Sequence, residues 1–271
     1  MNRGVQALAC LTVLLAVFSA AGCAKLKARD QLNKGVQSFK NSRYEEAIEH
    51  FKNAASLDPE LVNARLYLAT AYAKLYVPGA DTEENKRMAY SAIEEYKRAL
   101  TQDPGNMNAI KSIARLYLQT NNLEQAKQYY QQAATVAPND PDNFQAIAAI
   151  DWNTAYIFRQ EQRHKLGLKP TDQLKDKHAC AVVKAANDGP VNEGIKMLQK
   201  ALQIRSDYED AMNYMSLLYL ERADYQCDNS GARAADTKSA IEWKGKALAI
   251  GNAKLKKQQE AAAASTDQKK Q

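Results

Sequence analysis

The chain has 271 residues, 45% hydrophobic and 25% charged. That balance suits one large or two modest domains and excludes disorder throughout. The formal net charge is +6. Part of this excess sits in the C-terminal stretch NAKLKKQQEAAAASTDQKKQ and the rest is interleaved with acids, so no basic stripe marks a nucleic-acid binder. There are only 11 Gly and 7 Pro, and runs of β-branched residues with period two are missing, so the chain is predicted to be all-α.

The first element is an apolar stretch, Val5 to Ala21, preceded by Asn2 and Arg3 and interrupted by Gln6, Thr12 and Ser19. It is short and soft for a membrane span, which needs roughly 20 predominantly apolar residues. It fits the apolar region of a signal peptide. Its end, Ala20-Ala21-Gly22-Cys23, resembles the lipobox of bacterial lipoproteins, with Ala20 where Leu is more usual. The resemblance implies a signal at 1–22, cut before Cys23, and acylation of Cys23 on sulfur and on its new amino group, palmitate being the usual type of chain. Each buried CH₂ contributes about 0.8 kcal/mol and one chain binds marginally, so the three chains implied make attachment effectively permanent. Residues 23–29 then form a lipidated tether. By the same resemblance the protein faces the periplasm, and Ala24 leans the assignment towards the outer membrane. The alternative is an ordinary secretory signal with Cys23 incidental.

Three segments then align with one another: YEEAIEHFKNAASLDPE, AYSAIEEYKRALTQDPGN and NLEQAKQYYQQAATVAPND. Each repeats Ala, an aromatic, Ala and Pro at one spacing. The sets are Ala47, Phe51, Ala54, Pro59; Ala92, Tyr96, Ala99, Pro104; and Ala126, Tyr130, Ala133, Pro138. A second helix precedes each, carrying Gly35 and Phe39, then Leu68, Ala69 and Tyr72, then Ile113, Ala114 and Tyr117. This pattern resembles the tetratricopeptide repeat (TPR). Its small residues let antiparallel helices approach closely, its aromatics fill the gap to the next pair, and its Pro ends the second helix. No pair buries its apolar face alone, so the pairs must stack.

The array then becomes irregular. NFQAIAAIDWNTAYIFRQEQRH reads as one long helix. An insert over about 165–190 follows, with a short extra helix expected from Pro170 and Thr171 to Ala186 and ended by Asp188-Gly189-Pro190. VNEGIKMLQKALQIRSDYED restores Gly194, Leu198 and Ala201 to repeat positions, and a degenerate fifth pair ends near Gly251. The expected fold is a TPR helix-turn-helix solenoid, a right-handed superhelix of about five pairs over 30–251, with irregular inserts in the last two. A basic low-complexity tail, a fraying helix and then disorder, is expected at 252–271.

If Cys10 leaves with the signal and Cys23 carries lipid, Cys180 and Cys227 remain. In an oxidising compartment they are a candidate disulfide, closing a loop of roughly 48 residues worth about 4 kcal/mol in the chain-entropy model. Two independent buried thiols are the alternative. His164, His178 and Cys180 match no tight zinc spacing, so no metal and no cofactor is expected. His50, alone on its helix, is read as solvated. No nucleophile elbow, zincin or phosphate-loop motif is present, Asp151 has no evident catalytic partner, and no enzyme activity is expected.

The TPR resemblance implies a concave face, lined by the first helix of each pair, that binds protein segments. The groove candidates are Asn63, Leu66, Tyr67, Thr70 and Lys74; Lys111, Arg115 and Gln119; Gln145, Ala149 and Trp152; and Asn213 and Leu217. Tyr67 and Trp152 are the expected aromatic anchors. Leu32 and Val36 occupy positions where family members that clamp a carboxylate carry Lys and Asn, so that full clamp is absent. Lys111 and Arg115 still make a basic pair one turn apart. The leading expectation is a membrane-anchored envelope scaffold that captures a protein partner or peptide segment, as in TPR lipoproteins that assist assembly of envelope complexes. The alternative is a soluble secreted or periplasmic module for a small ligand or glycan, using a pocket around Trp152 and the insert after His164. Partner identity and oligomeric state stay open at this point.

Overall fold

The computed structural model describes residues 3–170, 172 and 174–268, with side chains from Gly22 to Ala261 in that range. Thr171 and the side chains of the expected signal segment through Ala21, Cys10 included, lie outside the described residues. The described residues form ten α-helices and no strand: α1 Arg3–Lys40, α2 Tyr44–Leu57, α3 Val62–Leu75, α4 Glu83–Leu100, α5 Met107–Gln119, α6 Leu123–Val136, α7 Pro141–Lys165, α8 Lys177–Ile204, α9 Glu209–Asp224 and α10 Ser230–Gln268. By their order along the chain they read as five successive helix pairs, the all-helical pattern expected of a TPR array. The chain divides into two compact units, residues 1–129 and 130–271.

In the first unit each helix packs on the next from α1 to α5, and α1 also touches α3. The repeat positions explain this order. Ala47, Phe51, Ala54, Ala92, Tyr96 and Ala99 are all buried. Gly35 shows why a small residue is needed. A Cβ there would lie 2.6 Å from Cδ1 of Phe51, so only glycine lets the aromatic ring sit against α1. The turns between paired helices place Ser42 and Asn121 in the left-handed region, at φ 59° each, which short polar residues tolerate best.

The longer spacing between the first two repeats is spent on the loop before α4 and on that helix's extra length. Buried Asn85 organises the loop. Its side-chain oxygen accepts from Val77 N–H and its amide donates to the carbonyls of Val77 and Ala80, each at 2.8 Å. Thr82 caps α4 by accepting from Asn85 N–H at 3.1 Å.

The tether and tail differ from expectation in one respect each. Residues 23–29 belong to α1, and Ala28 is fully buried, so the first repeat begins before Asp30. At the other end α10 is helix to Gln268, so the helical part of the tail extends well beyond 252.

In the second unit α7 to α10 pack successively, with α7 also on α9. The expected extra helix is corrected here. Among the described residues no helix starts near Pro170. Asp176 caps α8 by accepting from Ala179 N–H at 2.8 Å, and the helix runs without a break through Asp188-Gly189-Pro190 to Ile204. Pro190 removes one backbone donor. Yet Val183, Asn187, Val191, Gly194, Ile195 and Leu198 form one continuous buried stripe across it, and that packing holds the helix together. Gly194 permits the crossing, since a Cβ there would lie 2.8 Å from Leu218 and 3.3 Å from Cβ of Asp151. Asp151 is therefore buried at a helix crossing and does not face a groove.

Cys180, at the start of α8, is joined by a disulfide to Cys227 after α9, with Cα atoms 6.3 Å apart. A charged network lies beside it. Arg159 Nε donates to Glu221 at 2.7 Å and its Nη1 to Asp224 at 3.1 Å. Arg163 donates to Asp224 and to the Pro170 carbonyl, both at 2.7 Å. Asn187 donates to the Ala155 carbonyl at 2.8 Å and to Glu221 at 3.3 Å. Glu221 is only 1% exposed. Burial raises the carboxyl pKa of Glu221 and of Asp224, and Arg159 offsets this only in part.

Candidate functional site

The first unit holds a cavity of about 500 Å³ lined by α3, α4 and α5. From α3 come Asn63, Leu66, Tyr67 and Thr70, from α4 Tyr96, and from α5 Asn108, Lys111, Ser112 and Arg115. Six of the groove candidates thus converge on one concavity: Asn63, Leu66, Tyr67, Thr70, Lys111 and Arg115. Helical spacing explains the convergence. Residues three and four apart share a face, and the buried Ala64, Leu68 and Ala71 of α3 and Ile110, Ile113 and Ala114 of α5 hold the other faces in the core.

Each wall has its own chemistry. Tyr67 is 39% exposed, and its ring stacks on buried Phe51 with centroids 5.5 Å apart. The aromatic platform is therefore held from behind while one face stays available. At the floor the Thr70 hydroxyl donates to the Leu66 carbonyl at 2.7 Å and lies 2.9 Å from the Tyr96 hydroxyl. Arg115 is exposed at the rim and Lys111 half-buried beside it. The lining carries two cations, two amides and three hydroxyl groups besides Tyr67, and no carboxylate. Such a set accepts negative charge and backbone polar groups next to an aromatic contact.

Tyr96, Asn108 and Ser112 join the cavity without being groove candidates by sequence. The repeat pattern alone gives Tyr96 a packing role, although a Tyr where the first repeat has Phe51 carries a polar tip that needs a destination. Asn108 and Ser112 are one turn apart, as are Lys111 and Arg115, and the two pairs are adjacent rows on α5.

The other candidates lie elsewhere. Lys74 and Gln119 are exposed on α3 and α5 and do not line this cavity; the Gln119 backbone carbonyl accepts from Tyr76 at 3.1 Å. Leu32 and Val36 pack against the core of the first unit. His50 is not simply solvated, since its Nδ1 lies 2.8 Å from the Gln31 side-chain oxygen. Gln145, Ala149, Trp152, Asn213 and Leu217 belong to the second unit and are all half-buried. Trp152 is not a free anchor. It stacks on Tyr156 at 5.2 Å and meets the edge of Tyr214 at 5.9 Å, because the long α7 lays its aromatic row against α9. Asn213 accepts from Lys244 at 3.0 Å. A shallow depression of about 450 Å³ beside His164 is lined by Tyr156, Ile157, Gln160, Glu161 and Lys165, without Trp152.

Family models agree with this geometry. A model described as TPR repeat matches residues 37–75, and one described as Tetratricopeptide repeat matches residues 90–150. Tetratricopeptide repeat protein 8 of Mus musculus is 31% identical over 123 residues, 45% of this chain and 21% of that protein. The chain thus spans about a fifth of the length of the first curated relatives it matches. Among solved structures, the crystal structure of MamA protein aligns with a TM-score of 0.55 at 16% identity, covering 85% of this chain and 94% of that one. YrrB, described as a TPR protein with an unusual peptide-binding site, aligns at 0.50 and 14%, covering 83% and 90%. The chain thus carries tetratricopeptide repeats over residues 37–75 and 90–150, and its all-helical fold is similar to that of MamA and YrrB.

Proposed function

We propose that the cavity between α3 and α5 binds an extended segment of a protein partner, with an acidic group at Lys111 and Arg115 and an apolar or aromatic side chain on Tyr67. One observation carries this reading. Six groove candidates from two successive repeats line a single cavity that holds two cations and no carboxylate. The peptide-binding site described for YrrB, a similar fold, is consistent with it. The protein then acts as an interaction scaffold and not as a catalyst.

The finer part of the proposal concerns place. The Ala20-Ala21-Gly22-Cys23 sequence supports lipid attachment at Cys23, which is exposed on α1. Among the described residues no helix is long and apolar enough to cross a membrane. An acyl chain on Cys23 is the attachment proposed, on the strength of the sequence that precedes it. The partner is then a protein of the cell envelope, reached from the periplasmic side, and the scaffold assists assembly of an envelope complex.

Photo-cross-linking from Arg115 in intact cells tests the first part. The expected result is a discrete envelope protein joined through an acidic segment, competed by an acidic peptide and not by its amidated form. Cross-linking no stronger than from an exposed control position such as Lys34 overturns it. Mass spectrometry of the mature N-terminus tests the second part. Acylated Cys23 is expected, and an unmodified N-terminus near Ala24 overturns the anchor.

A further inference from the structure

The last helix presents a second surface. On α10, Ala240 and Ala247 are buried against the rest of the second unit, while Ile241, Leu248 and Leu255 are 68%, 54% and 54% exposed. These three large apolar residues are spaced seven apart. The intervening positions on the same face, Gly245, Asn252 and Gln259, are also exposed. Ile241 to Gln259 thus forms a heptad seam about 27 Å long, at 1.5 Å per residue, with Ile, Leu and Leu at one core position and Gly, Asn and Gln at the other.

We infer that this seam pairs in parallel with the same seam of a second copy of the chain. A row held at seven-residue spacing stays in line only against a helix wound around it, and it drifts out of contact with a flat surface. The polar core positions decide between partners. In a parallel pair Asn252 meets Asn252 and Gln259 meets Gln259, so each amide finds a donor and an acceptor. In an antiparallel pair or on hydrocarbon they would be buried against apolar groups without partners.

The flanking charges agree with this pairing. In parallel register Lys244 lies across from Ala249, and Lys256 across from Gly251, so no like charges face each other. Lys244 is in addition turned onto α9, where it donates to Asn213 at 3.0 Å. At Gly245 an added Cβ would meet nothing within 4 Å, which leaves room for close approach of the partner backbone. Three apolar knobs bury less than the roughly 800 Å² per partner of a standard stable interface. The dimer is therefore weak and depends on concentration.

Sedimentation of the purified protein tests this. The wild type should move from monomer to dimer as concentration rises through the micromolar range. Leu248→Lys with Leu255→Lys should stay monomeric with unchanged helix content. Asn252→Cys in a background with Cys10→Ser and Cys23→Ser should form a covalent dimer on mild oxidation, which reads the parallel register directly. Three results overturn the inference: a wild type that stays monomeric at hundreds of micromolar, a dimer that survives the double substitution, or a seam that loses only binding to anionic vesicles when substituted.

Discussion

The hydroxyl of Tyr96 lies 2.9 Å from that of Thr70, joining α4 to α3 at the floor of the candidate cavity. One residue is thereby both core and site: its ring is buried among the small residues of the second repeat, and its tip is polar where the cavity begins. Tyr96→Phe is expected to cost about 0.5–1.5 kcal/mol of stability, the net worth of one hydrogen bond. It should weaken an acidic peptide less than Arg115→Glu, which should reduce affinity tenfold or more, about 1.4 kcal/mol. Fluorescence anisotropy with a labelled acidic peptide, beside urea unfolding, separates the two effects.

Gly35 and Phe51 yield a packing prediction. Ala at position 35 gains up to about 1 kcal/mol in helix propensity, but its Cβ would lie 2.6 Å from the Phe51 ring. Overpacking costs about 1–3 kcal/mol, so Gly35→Ala is expected to be net destabilising. The penalty should shrink in a Phe51→Leu background, where the ring is gone. A double-mutant cycle in urea measures the coupling, and additive effects would contradict the close approach.

The Cys180–Cys227 bond spans a sequence separation of 47. The chain-entropy model assigns a loop of that size about 4 kcal/mol. Reduction, or the double change Cys180→Ala with Cys227→Ala, should lower the stability of the second unit by up to that amount. Thermal unfolding with and without reductant, followed by Trp fluorescence, provides the check. Both Trp152 and Trp243 lie in that unit, so the signal is local to it.

Glu221 sets a pH dependence of defined sign. Burial raises its carboxyl pKa above the ordinary 4.5, so the folded chain holds this proton more tightly than the unfolded chain. Stability from this group is therefore greatest at low pH and falls as pH rises from 4.5 through the folded value. Asp224 shifts in the same direction, again from burial. In Glu221→Gln the decline with pH should be shallower, with the Asp224 part remaining. Urea unfolding of both proteins across that range checks this, and parallel curves would exclude Glu221 as a source. Arg159→Met should cost about 3–5 kcal/mol at neutral pH, since it leaves buried Glu221 without its cation, while Asp224 keeps Arg163 at 2.7 Å.

Several features are legible in the sequence because their causes are local. Phe51, Tyr96 and the alanines around them recur at helical spacing, and Pro59, Pro104 and Pro138 follow the second helices closely. Pairing and stacking follow from that pattern alone. The cavity is half legible for the same reason: Asn63, Leu66, Tyr67 and Thr70 share one helix face, and Lys111 and Arg115 share another. Where sequence and structure part, the causes are tertiary. Asp188-Gly189-Pro190 carries every local signal of a helix end, but the buried stripe from Val183 to Leu198 outweighs one missing donor. Trp152 looks free in sequence because Tyr214, one of its two covering rings, lies 62 positions away.

By itself, then, the sequence determined the helix pairs, their order and the small-against-aromatic contacts. The helices show in patterns within a turn or two, and contacts such as Gly35 on Phe51 follow because the repeat recurs at one spacing. The pattern ending at Cys23, on which the proposed anchor rests, is equally local. Tertiary structure alone decided that α8 is one helix, that Tyr96 belongs to the cavity, and that Asp151 is buried. It also decided which face of α10 is covered and which is left open. Each of these depends on what a distant element places opposite the residue, and spacing along one chain segment carries no record of that.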